Sequence, residues 1–347
     1  MSAFISGATG FIAQHIVDGL LKQNYKVIGT ARSQEKANKL MKQFSNNPNL
    51  SMEIVGDISD VNAFDEVMKK RGSEIKYVLH TASPFHFNVT DIEKELLVPA
   101  VNGTRGILNS IKKYANDTVE RVVITSSFAA ILDLNRFNDN SLVLSEANWN
   151  PVTKEEALSN PMAGYCASKT YAERAAWDFL KENEGSIKFK LTTVNPVYVF
   201  GPQLFAEDVK NVLNTSCEVV NQVVQSTIDT TLPVDCSGQF VDVRDVAKAH
   251  IAGIQNDNCI GQRLLCSQAA FGVQDIANVL NDNFPQLKGK IAKSNPKTNA
   301  VENIGICQID NSKTKELLGF EFIDLKTCLI DTVSQIVEQK IIGLCEY

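Results

Sequence analysis

Apolar positions change period along the first part of the chain. Ala3 to Ser6 is a short run, Phe11, Ile12, Ile16, Val17, Leu20 and Leu21 recur at helical spacing, and Lys26 to Thr30 is again a run. This pattern predicts a strand, an amphipathic helix and a second strand. Ser51 to Val55 reads as a further strand. Tyr77-Val78-Leu79-His80 is nearly continuous in apolar character, as a strand buried on both faces requires. A long helix from about Ile92 to Tyr114 follows, then strands at Arg121 to Thr125 and Phe189 to Val194. The intervening Leu134 to Pro161 is rich in Pro and Asn and predicts loops over one end of a sheet.

Beyond about residue 200 the rhythm loosens. Helices are expected at Val209 to Val224, Arg244 to Gln255, Val273 to Asn283 and Leu325 to Lys340, with strands at Gln239 to Val243 and Arg263 to Cys266. Asn295 to Asn299 reads as an exposed loop. Alternating strands and helices imply an α/β fold, a doubly wound Rossmann-type parallel sheet with a smaller mixed α/β lobe at the C-terminal side. A boundary near Gly201-Pro202 gives a nucleotide domain over 1–200, to which 239–256 and 262–267 can return, and a mainly substrate-binding lobe over 201–347.

Between the first strand and helix stands Gly7-Ala8-Thr9-Gly10-Phe11-Ile12-Ala13. Glycines there allow a tight turn and let backbone N–H groups meet a pyrophosphate at the helix N-terminus. Ala13 is small enough for helix to pack on strand. After the second strand, an NAD-binding unit usually carries an acidic residue for the ribose 2′-hydroxyl. Here the place holds Arg32, with Lys36 one turn on. A cation at a helix N-terminus opposes the helix dipole, and two of them suit a 2′-phosphate. The expected cofactor is NADP(H). Asp57, in Gly56-Asp57-Ile58, can accept from an adenine amino group or serve a helix cap. Thr81-Ala82-Ser83 end the Tyr77 strand, at the sheet edge where ligands of such folds bind.

Composition narrows the partners. The 347 residues are 44% hydrophobic and 21% charged with a net charge of −6, without long single-sign runs, so neither nucleic acid nor an anionic membrane surface is expected. No stretch of about 18 uninterrupted apolar residues is present, and no basic and apolar leader opens the chain, which predicts a cytoplasmic protein. The eight cysteines are scattered without C-x-x-C spacing and read as reduced thiols, and no metal is expected.

Tyr165-Cys166-Ala167-Ser168-Lys169 places a phenol and an ammonium at i and i+4, on one helical face. A nearby positive charge lowers a phenol's pKa from about 10 and lets it pass a proton near neutrality. Upstream, the Arg121 strand ends in Ser126-Ser127, whose hydroxyls can hold a carbonyl oxygen or bond the turn backbone. His80 and His250 read as satisfied buried or surface residues.

Glycine turn, Arg32, Ser126-Ser127 and Tyr165-x-x-x-Lys169 occur in the order and spacing of the extended short-chain dehydrogenase/reductases. The chain resembles especially the fungal NADPH-dependent methylglyoxal or 3-methylbutanal reductases over nearly its whole length, through Gly7 to Val17, His80 to Phe85, Val194 to Pro202 and Val241 to His250. The resemblance implies that Ser127 and Tyr165 hydrogen-bond a substrate carbonyl, that Tyr165 donates the proton, and that Lys169 bonds the nicotinamide ribose and lowers the Tyr165 pKa. It implies cofactor contacts from Gly7, Ala8, Thr9, Gly10, Phe11 and Ile12, from Arg32 and Lys36, from Asp57 and Ile58 around adenine, and from Val199 and Ser216. It also implies an apolar pocket formed by Phe85, Phe128, Leu132, Met162 and Tyr198 for a small carbonyl compound. Helices near 92–114 and 164–183 are those that pair in two-fold relatives, so a monomer or a homodimer is expected. Two other activities share the fold: a nucleotide-sugar epimerase or dehydratase, against which Arg32 and Lys36 argue, and an NADP sensor, which needs no Tyr-Lys pair.

Overall fold

The computed structural model of the chain describes residues 1–83, 89–233, 237–295 and 305–345. Strands β1 (Ser2–Ser6), β2 (Lys26–Ala31), β3 (Leu50–Ile54), β4 (Tyr77–His80) and β5 (Arg121–Thr125) alternate with helices α1 (Phe11–Lys22), α2 (Gln34–Gln43), α3 (Asp65–Arg71) and α4 (Val98–Tyr114). Short β6 (Val143–Leu144) and α5 (Lys154–Ala157) precede α6 (Pro161–Glu182) and β7 (Lys190–Pro196). The chain continues as β8 (Tyr198–Phe200), α7 (Thr215–Gln225), β9 (Ser237–Asp242), α8 (Val243–Gln255), β10 (Arg263–Cys266) and β11 (Ala269–Gly272). It then forms α9 (Val273–Asn283), β12 (Gln308–Ile309), α10 (Ser312–Leu318) and α11 (Leu325–Cys345).

Seven strands make one sheet in the order β10-β7-β5-β4-β1-β2-β3, with every pairing parallel. Successive side chains of a strand leave opposite faces, and the two cores follow that period. Ala3, Ile5 and Leu79 join Ile16 and Leu20 of α1 and Val246 and Ile251 of α8 on one face. Phe4 and Val78 join Met68 of α3, Ile107 and Ile111 of α4 and Phe179 of α6 on the other. Each such burial contributes about 1.5–3 kcal/mol, so a shift of one residue in register would be costly on both faces. Strand order reverses direction between β1 and β4, where Ser6 is the register partner of His80. A crevice opens beyond the carboxyl ends of strands at such a point.

The smaller sheet, β11-β9-β8, mixes parallel and antiparallel pairs. Phe200, Phe240 and Phe271 pack at its centre, Phe200 stacked on Phe240 with ring centroids 5.9 Å apart and edge-to-face with Phe271 at 4.8 Å. Leu280 of α9 and Leu329 and Val333 of α11 close over them. Residues 263–266 pair in the large sheet and α8 packs on it, whereas 237–242 pair within the small one. The Gly201 region is tied to α11 by Gln335, whose side-chain amide accepts the Gln203 N–H at 2.8 Å and donates to the Gln203 carbonyl at 2.9 Å.

Two elements depart from their sequence pattern. α7 starts at Thr215 rather than Val209. The Leu213 N–H donates to Glu218 Oε2 at 2.8 Å and the Asn211 carbonyl accepts from Asn221 and Gln225 side chains, so the preceding segment folds back along the helix instead of extending it. The helix expected from Ile92 begins as a π turn over Glu93–Leu97 and becomes regular only in α4, which has a proline in its first turn. Pro99 has no N–H to continue the ladder. Among the described residues no helix is long and apolar enough to cross a membrane, and no three metal-ligating side chains cluster.

Candidate active site

The crevice floor is organised by Ser6. Its Oγ accepts the N–H of Thr81 at 3.1 Å and of Ala82 at 3.0 Å, so its single proton goes to His80 Nδ1 at 2.8 Å. His80 therefore carries its ring proton on Nε2. Burial, with the Lys169 ammonium second, holds its pKa down to about 3, and the ring is neutral. His250 is likewise neutral and satisfied, bonding Thr125 Oγ1 at 2.7 Å and the Val246 carbonyl at 2.8 Å.

The turn before α1 fits a ligand that approaches the backbone. Gly7 has φ of +67°, and a Cβ on it would lie 3.1 Å from Ala82 Cα, so any other residue there is strained and crowded. Gly10 caps α1 without a side-chain bond, and no acidic residue stands in the first helical turn. The first N–H groups of α1, which no helix can satisfy internally, are thus presented beside Thr9 and Gly10 in an electropositive setting. Ala8 and Ala13 are buried while Phe11 and Ile12 are part-buried.

Arg32 and Lys36 flank the start of α2, and both are exposed. Ser33 caps that helix by accepting from the Lys36 N–H at 3.3 Å. Asp57 is exposed, and its carboxyl is held below the usual range first by bonds from Ser59 and then by the Arg32 charge. Ile58 is buried against α4 at Gly103.

Asn160 begins α6 by accepting from the Ala163 N–H at 2.9 Å, and Pro161 follows in the first turn. The Tyr165 hydroxyl comes within 3.5 Å of Ser127 Oγ. Lys169 Nζ lies 5.9 Å from the Tyr165 ring centre and donates to Ser83 Oγ at 2.8 Å. Ser127 Oγ also accepts the Ala129 N–H at 3.1 Å, so one oxygen both shapes the turn and faces the phenol. The expectation that Lys169 depresses the phenol is not met in the cofactor-free chain. Burial pushes Tyr165 up to about 12, and burial pushes Lys169 down to about 8. The ammonium is bonded to Ser83, and loss of water around the phenolate outweighs its distant charge.

One group was not picked out from the sequence. Glu173, one turn beyond Lys169 on α6, is buried and pairs with Arg263 of β10 at 2.5 Å. Its carboxylate also accepts from Ser126 Oγ, from Asn195 Nδ2 at 2.6 Å and from Trp177 Nε1 at 3.2 Å. The available signal was spacing: Glu173 continues the i, i+4 series of Tyr165 and Lys169.

The residues expected to form the substrate pocket differ in burial. Phe128 and Leu132 are buried in a small cluster with Ile131, Leu144, Leu265 and Cys307. Met162 and Tyr198 are 46% and 39% exposed, and Tyr198 packs edge-on to Phe271. Val199 is buried in β8 and Ser216 lies in the first turn of α7. Phe85 lies outside the described residues.

Sheet order, glycine turn and the Ser-Tyr-Lys constellation define a nucleotide-dependent class. A model of the NAD dependent epimerase/dehydratase family matches residues 3–263, and the chain belongs to that family, as its motifs led one to expect. Among its relatives, the chain is 56% identical to the NADPH-dependent methylglyoxal reductase GRE2 of Saccharomyces cerevisiae over 338 residues, 97% of this chain and 98% of that protein. It is 39% identical to the ketoreductase azaE of Aspergillus niger, covering 96% of this chain and 97% of that one. The crystal structure of yeast methylglyoxal/isovaleraldehyde reductase Gre2 complexed with NADPH superposes with a TM-score of 0.95 at 56% identity, covering 98% and 99% of the two chains. Gre2 of Candida albicans in complex with NADPH gives 0.93 at 47% identity, covering 97% of this chain and 99% of that one.

Proposed function

We propose that this chain reduces small aldehydes and ketones to alcohols with NADPH, including methylglyoxal-type dicarbonyls, 3-methylbutanal and prochiral ketones. The observation that carries the reading is the approach of Ser127, Tyr165 and Lys169 to one another beside the Gly7 turn. Residues present in the crevice fit the cofactor: a Cβ on Gly7 would be strained and crowded against Ala82, and Arg32 and Lys36 are exposed cations at a helix start. Gly7 to Ile12 would hold the pyrophosphate, Arg32 and Lys36 the 2′-phosphate, and Asp57 and Ile58 the adenine. Thr81, Ala82, Ser83, Lys169, Val199 and Ser216 would border the nicotinamide side. Bound NADPH supplies the hydride.

The protein's own part is to receive the charge that develops on the carbonyl oxygen. Tyr165 and Ser127 donate hydrogen bonds to that oxygen, which strengthen as it becomes an alkoxide. A phenol with a pKa of about 12 keeps its proton at pH 7. It is still a far stronger acid than an alcohol resembling water at about 15.7, so transfer to the alkoxide runs downhill. Lys169, mostly protonated at pH 7, stabilises the phenolate left behind. Phe128 and Leu132 would give the pocket an apolar wall, and Met162 and Tyr198 its open rim.

The test is NADPH consumption across small aldehydes, α-dicarbonyls, ketoesters and aryl ketones, with chiral analysis of the alcohols. Tyr165→Phe should keep NADPH affinity within about twofold while kcat falls by roughly 10²–10⁴. A fully active Phe variant overturns the donor assignment.

A further inference from the structure

The geometry points to Glu173, with its partner Arg263, as the positioning residue for Ser127. The inference rests on the reading of Ser127 as a hydrogen-bond donor to the substrate carbonyl. Glu173 holds both neighbours of that serine's oxygen in place through the strand end that carries it. Ser126, the preceding residue, donates its hydroxyl to Glu173 Oε2. Asn195 on β7 spans the gap, giving one amide hydrogen to Glu173 Oε2 at 2.6 Å and the other to the Ser127 carbonyl at 3.2 Å. The Ser127 main chain is thus gripped on both sides by a single carboxylate.

The carboxylate is itself immobilised. Arg263 Nε meets Oε1 at 2.5 Å and Nη2 meets Oε2 at 3.3 Å, a forked pairing that fixes the carboxylate plane. Arg263 in turn donates to the carbonyls of Glu146 and Asn148 and lies 3.9 Å over the Trp149 ring. Stability alone does not call for such a pair, because well-packed apolar residues of similar volume hold adjoining strands as well or better. A donor in a transition state, by contrast, loses its effect when displaced by fractions of an ångström. Ser126, just past the end of β5, and Thr193 and Asn195 of β7 all bond Glu173.

Four proteins test the inference: wild type, Glu173→Gln, Ser127→Ala and the double variant, each measured for kcat, KM, NADPH affinity by fluorescence, and thermal unfolding. Glu173→Gln is expected to lower kcat about tenfold or more and to leave NADPH affinity within about twofold. Added to Ser127→Ala, it should lower kcat no further, because both act through one donor. Glu173→Gln that lowers the unfolding temperature but keeps kcat, or that multiplies the Ser127→Ala loss, overturns the positioning role. Full kcat in Ser127→Ala would overturn the donor reading as well, and the inference with it. Should Glu173→Gln not fold, Ser126→Ala removes one link while sparing the ion pair. It should lower kcat several-fold in the wild-type background and not at all in Ser127→Ala, and equal losses in both refute the inference.

Discussion

Lys169 should make the cofactor-free protein less stable than it would be without its charge. Burial takes the ammonium from its ordinary 10.5 to about 8. At about 1.36 kcal/mol per pH unit, this amounts to roughly 3 kcal/mol at pH 7. Water reaching the half-buried side chain screens part of it, leaving about 2 kcal/mol. The sign follows from proton counting. Between about pH 8 and 10.5 the unfolded chain binds a proton that the folded chain has released, so stability rises with pH through that window, and the penalty is fully present below it. Lys169→Met keeps the stem and removes the charge, at the loss of a charged hydrogen bond to Ser83 Oγ, worth about 1.5–3 kcal/mol. The two terms nearly offset, so the variant should lie within about 1 kcal/mol of wild type at pH 7. It should then fall about 2 kcal/mol relative to wild type as pH approaches 10.5, while reductase activity is lost. Urea denaturation of both proteins without nucleotide, across that pH range, measures the difference directly. A gap between the two proteins that does not move with pH would refute the reasoning.

Two further outcomes follow from the crevice. Gly7→Ala forces a side chain into a left-handed backbone and to within 3.1 Å of Ala82. A strain of about 1–2 kcal/mol should appear as weaker NADPH binding in calorimetry, and unchanged binding would show that the turn has another purpose. Replacing Arg32 and Lys36 with Ala should weaken NADPH about tenfold or more for each, given about 1.5–3 kcal/mol for a charged hydrogen bond, yet leave NADH nearly as before. Equal losses for the two nucleotides would remove the 2′-phosphate from the argument.

Much of the fold was legible because its strands are short, apolar and punctuated. β1, β2, β4 and β5 fall where the runs of Ala3, Lys26, Tyr77 and Arg121 place them. What escaped depends on side-chain bonds that periodicity does not carry. Asn211, Glu218 and Asn221 shorten α7, and the two-residue strands β6 and β12 pair across the chain with too few residues for a pattern. At the site, spacing correctly brought Tyr165 and Lys169 to one side of α6 and sequence order suggested Ser127 as their neighbour. Spacing could not foresee that Ser83 would take the ammonium, nor that burial would set the phenol's acidity. Glu173 belongs to no motif that the sequence singles out, and its partner Arg263 arrives from a distant strand.

That arrival has a consequence for synthesis. β7 borders β5 on one side and β10 on the other, and β10 emerges from the ribosome long after β7. At about 5–20 residues per second the interval from Pro196 to Arg263 is on the order of 3–13 s. During it the nascent sheet shows Leu191 to Val194 as an unpaired edge and Glu173 lacks Arg263 as its counter-ion. The same late strand that completes the acid–base framework also ends the period in which the newborn chain is open to pairing with its neighbours. Chaperone dependence should therefore concentrate in chains stalled before Arg263.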